Sequence, residues 1–386
     1  MLRRDFLRLI GAAALVPWNA QLAFAAAPAA DYRRLLVLVE LKGGNDGLNS
    51  VIPYADAGYY RLRPRLGIAR DQVVQLDAAT GLHPALKPLW PLWQSQELAV
   101  VQGVGYPKPN LSHFRSIEIW DTASDSDDYL EQGWLSQVFG RNPPPRPFAA
   151  DGVVVGSSEL GPLAGGSTRA IALANTEQFL RQAKQMQAGG GQSRNPALAH
   201  LLKVEGDIRQ AASGLRSGHS FRTDFPKHGF GNNIKTAAQV VAANAGVAVI
   251  KLSHNGFDTH SNQLTVHARL LTELAEGLAA FKSAMQELKR WDTTLVMTYA
   301  EFGRRPQENG SGGTDHGTAN AHFVLGGRVQ GGLYGERPAL TQLESGNLRH
   351  AVDFRQLYAT AAERWWGLPA RSLFSGKFQP LDLLRT

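Results

Sequence analysis

Acidic and imidazole side chains recur in this 386-residue sequence just beyond short apolar runs. Asp258 and His260 lie two residues apart, and Asp315 and His316 are adjacent in a glycine-rich segment. If the apolar runs are parallel strands, their carboxyl ends meet at one edge of a sheet, where ligands bind in such folds. The candidate metal ligands at that edge are Asp46, Asp258, His260, Glu301, Asp315 and His316.

Carboxylates and imidazoles without thiolates define the kinds of metal that this edge would hold. The chain has no cysteine, which excludes disulfides, iron–sulfur clusters and a cysteine nucleophile. We expect zinc, with manganese, calcium or magnesium as alternatives. The glycines of Gly43-Gly44-Asn45-Asp46-Gly47 allow a sharp turn and predict that Asp46 faces the crevice. The alternative for this stretch is an ordinary Asn-Asp-Gly turn.

A serine at a predicted helix start is the candidate nucleophile. Ser112 follows a turn-rich segment and precedes a helix with apolar positions at Phe114, Ile117 and Trp120. A hydroxyl at the helix N-terminus lies where a bound anion is stabilised, and a nearby metal would lower its pKa. The alternative is that Ser112 only caps the helix. Nearby groups that suit an anion are His113, Arg115 and Ser116, with Ser116 as the second choice of nucleophile.

The elements that must position these groups alternate along the chain. Apolar runs typical of buried strands cover residues 34–41, 98–101, 153–155, 247–250, 295–297 and 323–325. Helical apolar spacing covers residues 197–215, 234–243, 270–288 and 354–366. Surface segments rich in glycine or proline cover residues 142–147 and 187–194. Alternating strands and helices predict an α/β fold whose mostly parallel central sheet is covered on both faces.

The N-terminal segment has the pattern of an export signal. Arg3-Arg4 is followed by a short apolar stretch and by an Ala-rich end near residue 27. This pattern predicts a cleavable twin-arginine signal peptide over residues 1–27 and a single α/β domain over residues 28–386. We therefore expect a periplasmic or secreted protein without a transmembrane segment. The net charge of +7 is weak evidence for nucleic acid, and no nucleic-acid partner is predicted.

Several motifs together resemble one family. The chain is similar to the exported bacterial family known as domain of unknown function 1501, within the alkaline phosphatase/sulfatase superfamily. The matching segments are residues 40–53, 82–89, 101–123, 256–263, 301–305 and 313–327. The resemblance implies an α/β/α sandwich with one or two divalent metals at the strand ends. It also implies a Ser, Thr or modified Cys nucleophile that attacks phosphate or sulfate esters.

The sequence departs from that superfamily's pattern at two places. The middle Asp and His are usually four residues apart, but position 262 is Asn262 and the histidine is His260. The later Asp-His pair is either Asp315-His316, by spelling, or Glu301-Phe302, by its place after the strand. We favour the second register, in which Phe302 replaces a ligand and His316 is the late histidine. His322 is a spare candidate for that late histidine.

Two functions follow as expectations. The first is an exported, metal-dependent hydrolase of a small anionic ester, with Ser112 as nucleophile and Arg115 or Arg304 neutralising transition-state charge. The second is a catalytically silent relative that binds an envelope polymer, another envelope ligand or a co-exported partner protein. Phe302 and the missing four-residue spacing favour the second, and the retained carboxylates and histidines favour the first.

Overall fold

The computed structural model describes residues 30–145, 148–166, 168–173, 219–244, 246–369, 373–374 and 378–385. The predicted signal peptide, the predicted helix over residues 197–215 and the segment 187–194 lie outside these residues. No helix in the described part of the chain combines the length and the apolar character that crossing a bilayer requires.

Strands occupy most of the predicted apolar runs. In chain order they are β1 (Leu35–Lys42), β2 (Val51–Ile52), β3 (Val74–Gln75), β4 (Gly81–Leu82), β5 (Leu98–Gly105), β6 (Ala150–Val155), β7 (Ala170–Leu173), β8 (Val247–Asn255), β9 (Thr294–Tyr299), β10 (Arg304–Glu308), β11 (Thr314–His316), β12 (Asn320–Leu325), β13 (Gly332–Gly335) and β14 (Val352–Asp353). Each of the six predicted strands is present, and most are longer than the apolar run that indicated them.

The central sheet has nine strands in the order β13-β5-β12-β9-β1-β8-β6-β7, with β14 beside β5. Strand β12 is antiparallel to both of its neighbours, and the other pairs are parallel. Two small sheets, β10-β11 and β2-β4-β3, stand apart from it. The predicted mostly parallel α/β sheet is therefore confirmed.

Helices cover both faces of this sheet. The α-helices are α1 (Gly47–Ser50), α2 (Ala57–Leu62), α3 (Trp90–Gln94), α4 (His113–Thr122), α5 (Trp134–Arg141), α6 (Gly229–Ala242), α7 (Gln263–Glu287) and α8 (Phe354–Ala359). Short 3₁₀ helices span Pro84–Leu89, Gly161–Leu163 and Trp291–Thr293, and a π-helical turn spans Thr360–Trp365. Gly367, at φ +77°, ends this last helical segment, and the helix predicted over residues 354–366 ends at the same point.

The core consists of two apolar layers separated by the sheet. Alternate residues of β1 point to opposite faces, as a strand requires, so Val37 and Val39 contact one layer and Leu36 and Leu38 the other. The first layer includes α6, α7 and the 3₁₀ helix Pro84–Leu89. The second includes α4, α5, α8 and the π-helical turn. The arrangement is the α/β/α sandwich that the sequence predicted.

The strand register fixes where the polar loops meet. Leu41 of β1 pairs with His254 of β8, and Glu40 pairs with Tyr299 of β9, so the three strands end at nearly the same level. The loops that follow them start at one edge of the sheet. This edge is where the candidate ligands were expected.

Candidate metal centre

Two glycines after β1 allow three loops to approach one another closely. Gly43 has φ +114°, and a Cβ built there would lie 2.4 Å from the backbone nitrogen of Asp258. Gly44 has φ +78°, and a Cβ there would lie 2.4 Å from the ring of Phe302. Both positions need glycine for conformation and for space. The Asp258 loop and the Phe302 loop therefore pack directly against the β1 turn.

Three side chains from these elements form a cluster suited to a metal ion. His113, Asp258 and His316 each offer a ligand atom, and these atoms lie within 4.8 Å of one another. His316 Nε2 lies 3.2 Å from Asp258 Oδ1, and His113 Nε2 lies 3.5 Å from Asp258 Oδ2. His260 stands beside them, with its Nε2 3.0 Å from both His316 Nε2 and Asp258 Oδ1. We call these four residues the His/Asp cluster.

The outer nitrogen of each histidine faces an acceptor. His113 Nδ1 lies 2.8 Å from Glu301 Oε1, and His316 Nδ1 lies 2.8 Å from the carbonyl oxygen of Leu111. His260 Nδ1 lies 3.4 Å from the carboxylate of Asp315. The Nε2 atoms face the Asp258 carboxylate, which also only accepts, so a metal site requires the tautomer in which each neutral ring carries its proton on Nδ1. The lone pairs of all three Nε2 atoms are then turned into the cluster.

This arrangement fits a small divalent cation. Two Nε2 atoms that both present lone pairs at 3.0 Å repel each other unless a proton or a metal ion lies between them. In a tetrahedral zinc site with bonds of about 2.0 Å, neighbouring ligand atoms are roughly 3.3 Å apart. The separations of 3.0 to 3.5 Å bracket that value. Carboxylate or carbonyl partners on the outer nitrogens are also the usual second layer of histidine metal sites.

Arg304 holds the Asp258 carboxylate in place. Its guanidinium lies 2.5 Å from Asp258 Oδ1 and also donates to the carbonyl oxygens of Gly43, Gly44 and Thr314. Burial alone would raise the pKa of Asp258, but the hydrogen bond and charge of Arg304 outweigh it and the pKa is lowered. Asp258 is thus an anion at neutral pH. Arg304 is fully buried and its donors are committed to this framework.

Glu301 and Phe302 follow the end of β9 after one residue and contact the His/Asp cluster. Glu301 Oε1 accepts from the backbone N–H of Gly43, 2.9 Å away, as well as from His113. The hydrogen bond from His113 to this buried carboxylate raises the pKa of His113. The Phe302 ring packs against the rings of His113 and His316, with centroids 4.9 and 4.6 Å apart. The residues after the strand therefore position two cluster histidines.

Asp46 lies apart from the His/Asp cluster. It is completely buried as the N-cap of α1 and does not face the crevice. Arg63 contacts both carboxylate oxygens, at 2.6 and 3.0 Å, and the Gln263 amide also donates to one of them. Burial alone would raise the pKa of Asp46, but Arg63 outweighs it and the pKa is lowered. Its lone pairs are occupied by protein donors.

The candidate nucleophile is adjacent to a cluster histidine. Ser112 occupies the N-cap position of α4, as predicted, but its side chain makes no capping hydrogen bond. Its exposed hydroxyl immediately precedes His113. Ser116 is buried instead, where its hydroxyl contacts Tyr106 and the carbonyl oxygen of Glu301. Arg115 donates to carbonyl oxygens of the segment after α4, at Asp125, Ser126 and Asp128.

The remaining predicted residues lie at the margin or outside. Asp315 is exposed and accepts from Asn309, and this hydrogen bond helps to lower the pKa of Asp315. Asn262 is exposed at the start of α7, where it makes no capping hydrogen bond. His322 is fully buried against Trp120 of the second core layer, and burial lowers the pKa of His322 to about 3.

The sequence did not identify every functional contact. Arg63, which pairs with Asp46, was not singled out because it lies in a loop with no recognisable pattern. The carbonyl oxygen of Leu111, which fixes the His316 ring, carries no sequence signal at all. His113 was given only as a nearby anion-binding group. Its position one residue after Ser112 at a helix start was the signal that could have placed it in the ligand set.

Comparison with known proteins gives a family match and distant structural similarities. A family model described as Protein of unknown function (DUF1501) matches residues 78–376, while comparison with curated proteins finds no match. Ps i-CgsB aligns with a TM-score of 0.41 at 11% identity, over 89% of this chain and 74% of its own. The PsFucS1 sulfatase from Pseudoalteromonas sp. gives 0.41 at 10%, over 90% and 70%. An alkaline phosphatase from the Antarctic bacterium TAB5 gives 0.36 at 12%, over 78% and 94%.

Proposed function

Since the chain belongs to the family described as Protein of unknown function (DUF1501), we propose a function from its own site: a metal-dependent hydrolase of phosphate or sulfate esters. The ion would be held by His113, Asp258 and His316, with His260 as a fourth ligand or as the residue beside an open position. Zinc suits this ligand set best, and manganese, calcium and magnesium are the alternatives. Asp46 is left out of the proposed ligand set because Arg63 occupies its carboxylate.

One observation carries this proposal. Each of three imidazole Nε2 atoms lies 3.0 to 3.5 Å from an oxygen of the Asp258 carboxylate, while each Nδ1 faces an acceptor. A proton shared between His260 and His316 would also relieve the repulsion between their Nε2 atoms. That alternative needs only a proton on the Nε2 of one of the two rings, and it does not use the lone pair of His113. Metal analysis distinguishes the two.

Ser112 is the proposed nucleophile. Its oxygen would form a bond to the phosphorus or sulfur of the ester while the bond to the leaving oxygen breaks, and that oxygen takes up the proton lost by the hydroxyl. Water would then cleave the Ser112 ester and restore the hydroxyl. A bound divalent cation supplies a lowered hydroxyl pKa and polarises the ester oxygen. The N-terminus of α4 adds backbone N–H groups next to the attacked group.

The first experiment measures metal content in the full chain, folded and purified without chelator. Asp258→Asn and His316→Gln should lose most of the bound metal, since the first removes the charge of the carboxylate ligand and the second removes an imidazole ligand. His350→Gln is the matched control, because this exposed histidine lies outside the His/Asp cluster. Equal metal in all four proteins would overturn the proposed site.

The second experiment tests turnover with phosphate monoesters, phosphate diesters and sulfate esters. Ser112→Ala should abolish hydrolysis and retain the metal. Ser283→Ala is the control, because this exposed serine lies within α7 and bonds only to the carbonyl oxygen of Ala279. A Ser112→Ala protein that hydrolyses at the normal rate would remove Ser112 from the mechanism.

A metal-binding protein without turnover is the second candidate function. The donors of Arg304 are directed to backbone carbonyls and to Asp258, and Arg115 is held by backbone carbonyls and by the Glu118 carboxylate, so neither is assigned to transition-state charge. This favours a relative that binds an envelope polymer, another envelope ligand or a co-exported partner protein without turnover. Stoichiometric metal with no hydrolysis of any ester class would support it.

Export belongs to the same proposal. Residues 1–27 would direct the folded chain through the twin-arginine route, and residues 28–386 would form one α/β domain in the periplasm or outside the cell. A route for folded proteins suits a chain that acquires its metal inside the cell. Replacing Arg3-Arg4 with Lys-Lys should leave the uncleaved protein in the cytoplasm, as measured by fractionation and mass. Continued export of that variant would contradict this part of the proposal.

A further inference from the structure

A basic cleft lies at the edge of the sheet opposite to the His/Asp cluster. It has a volume of about 650 Å³ and is lined where β1, β8 and β9 begin, by residues that include Leu35, Val247 and Thr293. A strand of eight residues spans roughly 26 Å, so this cleft is well separated from the proposed metal site. Its volume is that of a typical small-molecule site.

The charges lining the cleft are unbalanced. Arg33 and Arg34 share Asp31, at 2.9 and 3.5 Å. Lys289, Arg290 and Arg328 also line the cleft, and none of these three forms an ion pair with a residue that the structure describes. Arg290 is partly buried, and burial lowers its pKa. Its guanidinium donates to the Thr293 hydroxyl and to the carbonyl oxygen of Arg33, so its charge has dipolar partners but no carboxylate, which an anion in the cleft would supply.

One of these cations, Lys289, has an unfavourable backbone conformation. Lys289 follows the end of α7 with φ +56°, in the left-handed region where glycine is usual. A side chain at this position is strained by about 1 kcal/mol relative to glycine.

Another part of the cleft wall is apolar. Phe148, Val241 and Val247 are partly buried and belong to the margins of the two core layers, yet they also line the cleft. A wall of this kind binds a hydrocarbon or ring, whereas the cations bind an oxyanion. The two surfaces together define an amphipathic ligand.

We propose that this cleft is a second binding site, for a phosphate or sulfate group that carries an apolar substituent. Lys289, Arg290 and Arg328 would bind the oxyanion, and Phe148 and Val241 would contact the substituent. The proposal is independent of the metal site and of hydrolysis. A soluble ester and an anionic lipid headgroup share this chemistry.

Calorimetric titration with phenylphosphonate tests the site. The carbon–phosphorus bond of this compound is not an ester, so the proposed hydrolase activity does not consume it. A chelator in the buffer removes metal ions and so excludes binding of the compound at the proposed metal site. Lys289→Ala/Arg328→Ala should weaken binding about tenfold or more, from the loss of two charge-assisted contacts. Lys235→Ala/Arg337→Ala is the matched control, since both side chains are exposed outside the cleft and the net charge falls equally. The control should bind as the unmodified chain does.

Two comparisons identify the ligand's parts and source. Inorganic phosphate and benzyl alcohol should each bind at least tenfold more weakly than phenylphosphonate. The protein is also pelleted with vesicles. If it pellets with phosphatidylglycerol but not with phosphatidylcholine, and if this depends on Lys289 and Arg328, the oxyanion belongs to a lipid. Phenylphosphonate binding without pelleting would assign it to a soluble ester.

Several outcomes would overturn the proposal. A cation stabilises the C-terminus of a helix, so the simpler alternative is that Lys289 only stabilises the end of α7. No phenylphosphonate binding by the folded chain would support that simpler role. Binding that is equal in the cleft variant and the control variant would place the ligand elsewhere. Both variants should retain the melting temperature of the unmodified chain, because the altered side chains are on the surface.

Discussion

Glu301→Gln should weaken zinc binding by about tenfold to a hundredfold while the chain stays folded. In the structure, Glu301 Oε1 accepts from His113 Nδ1 at 2.8 Å and from the Gly43 N–H at 2.9 Å. Glutamine keeps an oxygen that can accept both bonds but removes the negative charge. A charge-assisted hydrogen bond is roughly twice as strong as a neutral one, so the loss is about 1.5 kcal/mol or more. The His113 ring then becomes a weaker and less firmly oriented ligand.

The pH dependence supplies a second readout. The hydrogen bond to Glu301 raises the pKa of His113, so a proton competes with the metal at mildly acidic pH in the unmodified chain. Glu301→Gln lowers that pKa and reduces the competition. The difference in affinity between the two proteins should therefore be largest above the His113 pKa and should narrow as the pH falls.

Competition with a chromophoric chelator measures these affinities at fixed pH. Glu97→Gln is the matched control, because Glu97 is a largely buried carboxylate that bonds to Lys282 and Trp291 at the far edge of the sheet. It should leave zinc affinity unchanged. Equal affinities for the Glu301→Gln and unmodified proteins would refute the role assigned to this carboxylate, and so would an equal loss in the Glu97 control.

Three further perturbations test the framework around the site. Asp46→Asn leaves Arg63 buried without its anion and should lower the free energy of unfolding by roughly 3–5 kcal/mol in urea titrations, while zinc content of the folded protein is unchanged. His322→Phe should reduce the loss of unfolding free energy that accompanies acidification. The pKa of His322 is about 3 in the fold, so between pH 6.5 and 4 only the unfolded chain takes up the proton. In the unmodified chain this uptake lowers the free energy of unfolding by up to about 1.4 kcal/mol per pH unit. A slope that the variant does not change would contradict this. Gly44→Ala should destabilise the chain by about 2 kcal/mol or more, because φ is +78° and the new methyl meets Phe302; an unchanged melting temperature would refute the close approach.

The scaffold was predictable because its signal is repeated and local. Strand β1 and the first four residues of β8 are nearly continuous apolar runs, and a run of that kind in an alternating α/β sequence belongs in a parallel sheet covered on both faces. Helix α7 carries one apolar stripe over several turns, and it extends from Gln263 to Glu287 around the predicted core positions. The antiparallel direction of β12 was not predictable, since its apolar residues read the same in either direction.

The site was predictable only to the level of which loops meet. The strand ends of β8 and β9 directed attention to Asp258 and Glu301, which both contact His113 in the structure. What a carboxylate does there depends on its nearest cation, and that cation comes from a distant part of the chain. Asp46 pairs with Arg63, whereas Asp258 pairs with Arg304 and still presents an oxygen to His113. Spacing along the sequence does not distinguish these two outcomes.

The contrast between Asp46 and Asp258 also explains why Phe302 is compatible with a metal site. One ionised carboxylate and two or three imidazoles are enough to hold a single ion, and the His/Asp cluster offers them without any group from position 302. Phe302 packs on His113 and His316 and narrows the range of ring orientations that these ligands can adopt. An aromatic residue there removes a ligand for a second ion and orders the ligands of the first. The buried Arg63 meanwhile gives Asp46 a fixed positive partner, so neither carboxylate is left without a compensating charge. The structure is thus consistent with one ion at this edge of the sheet, and a measured stoichiometry of two per chain would contradict that reasoning.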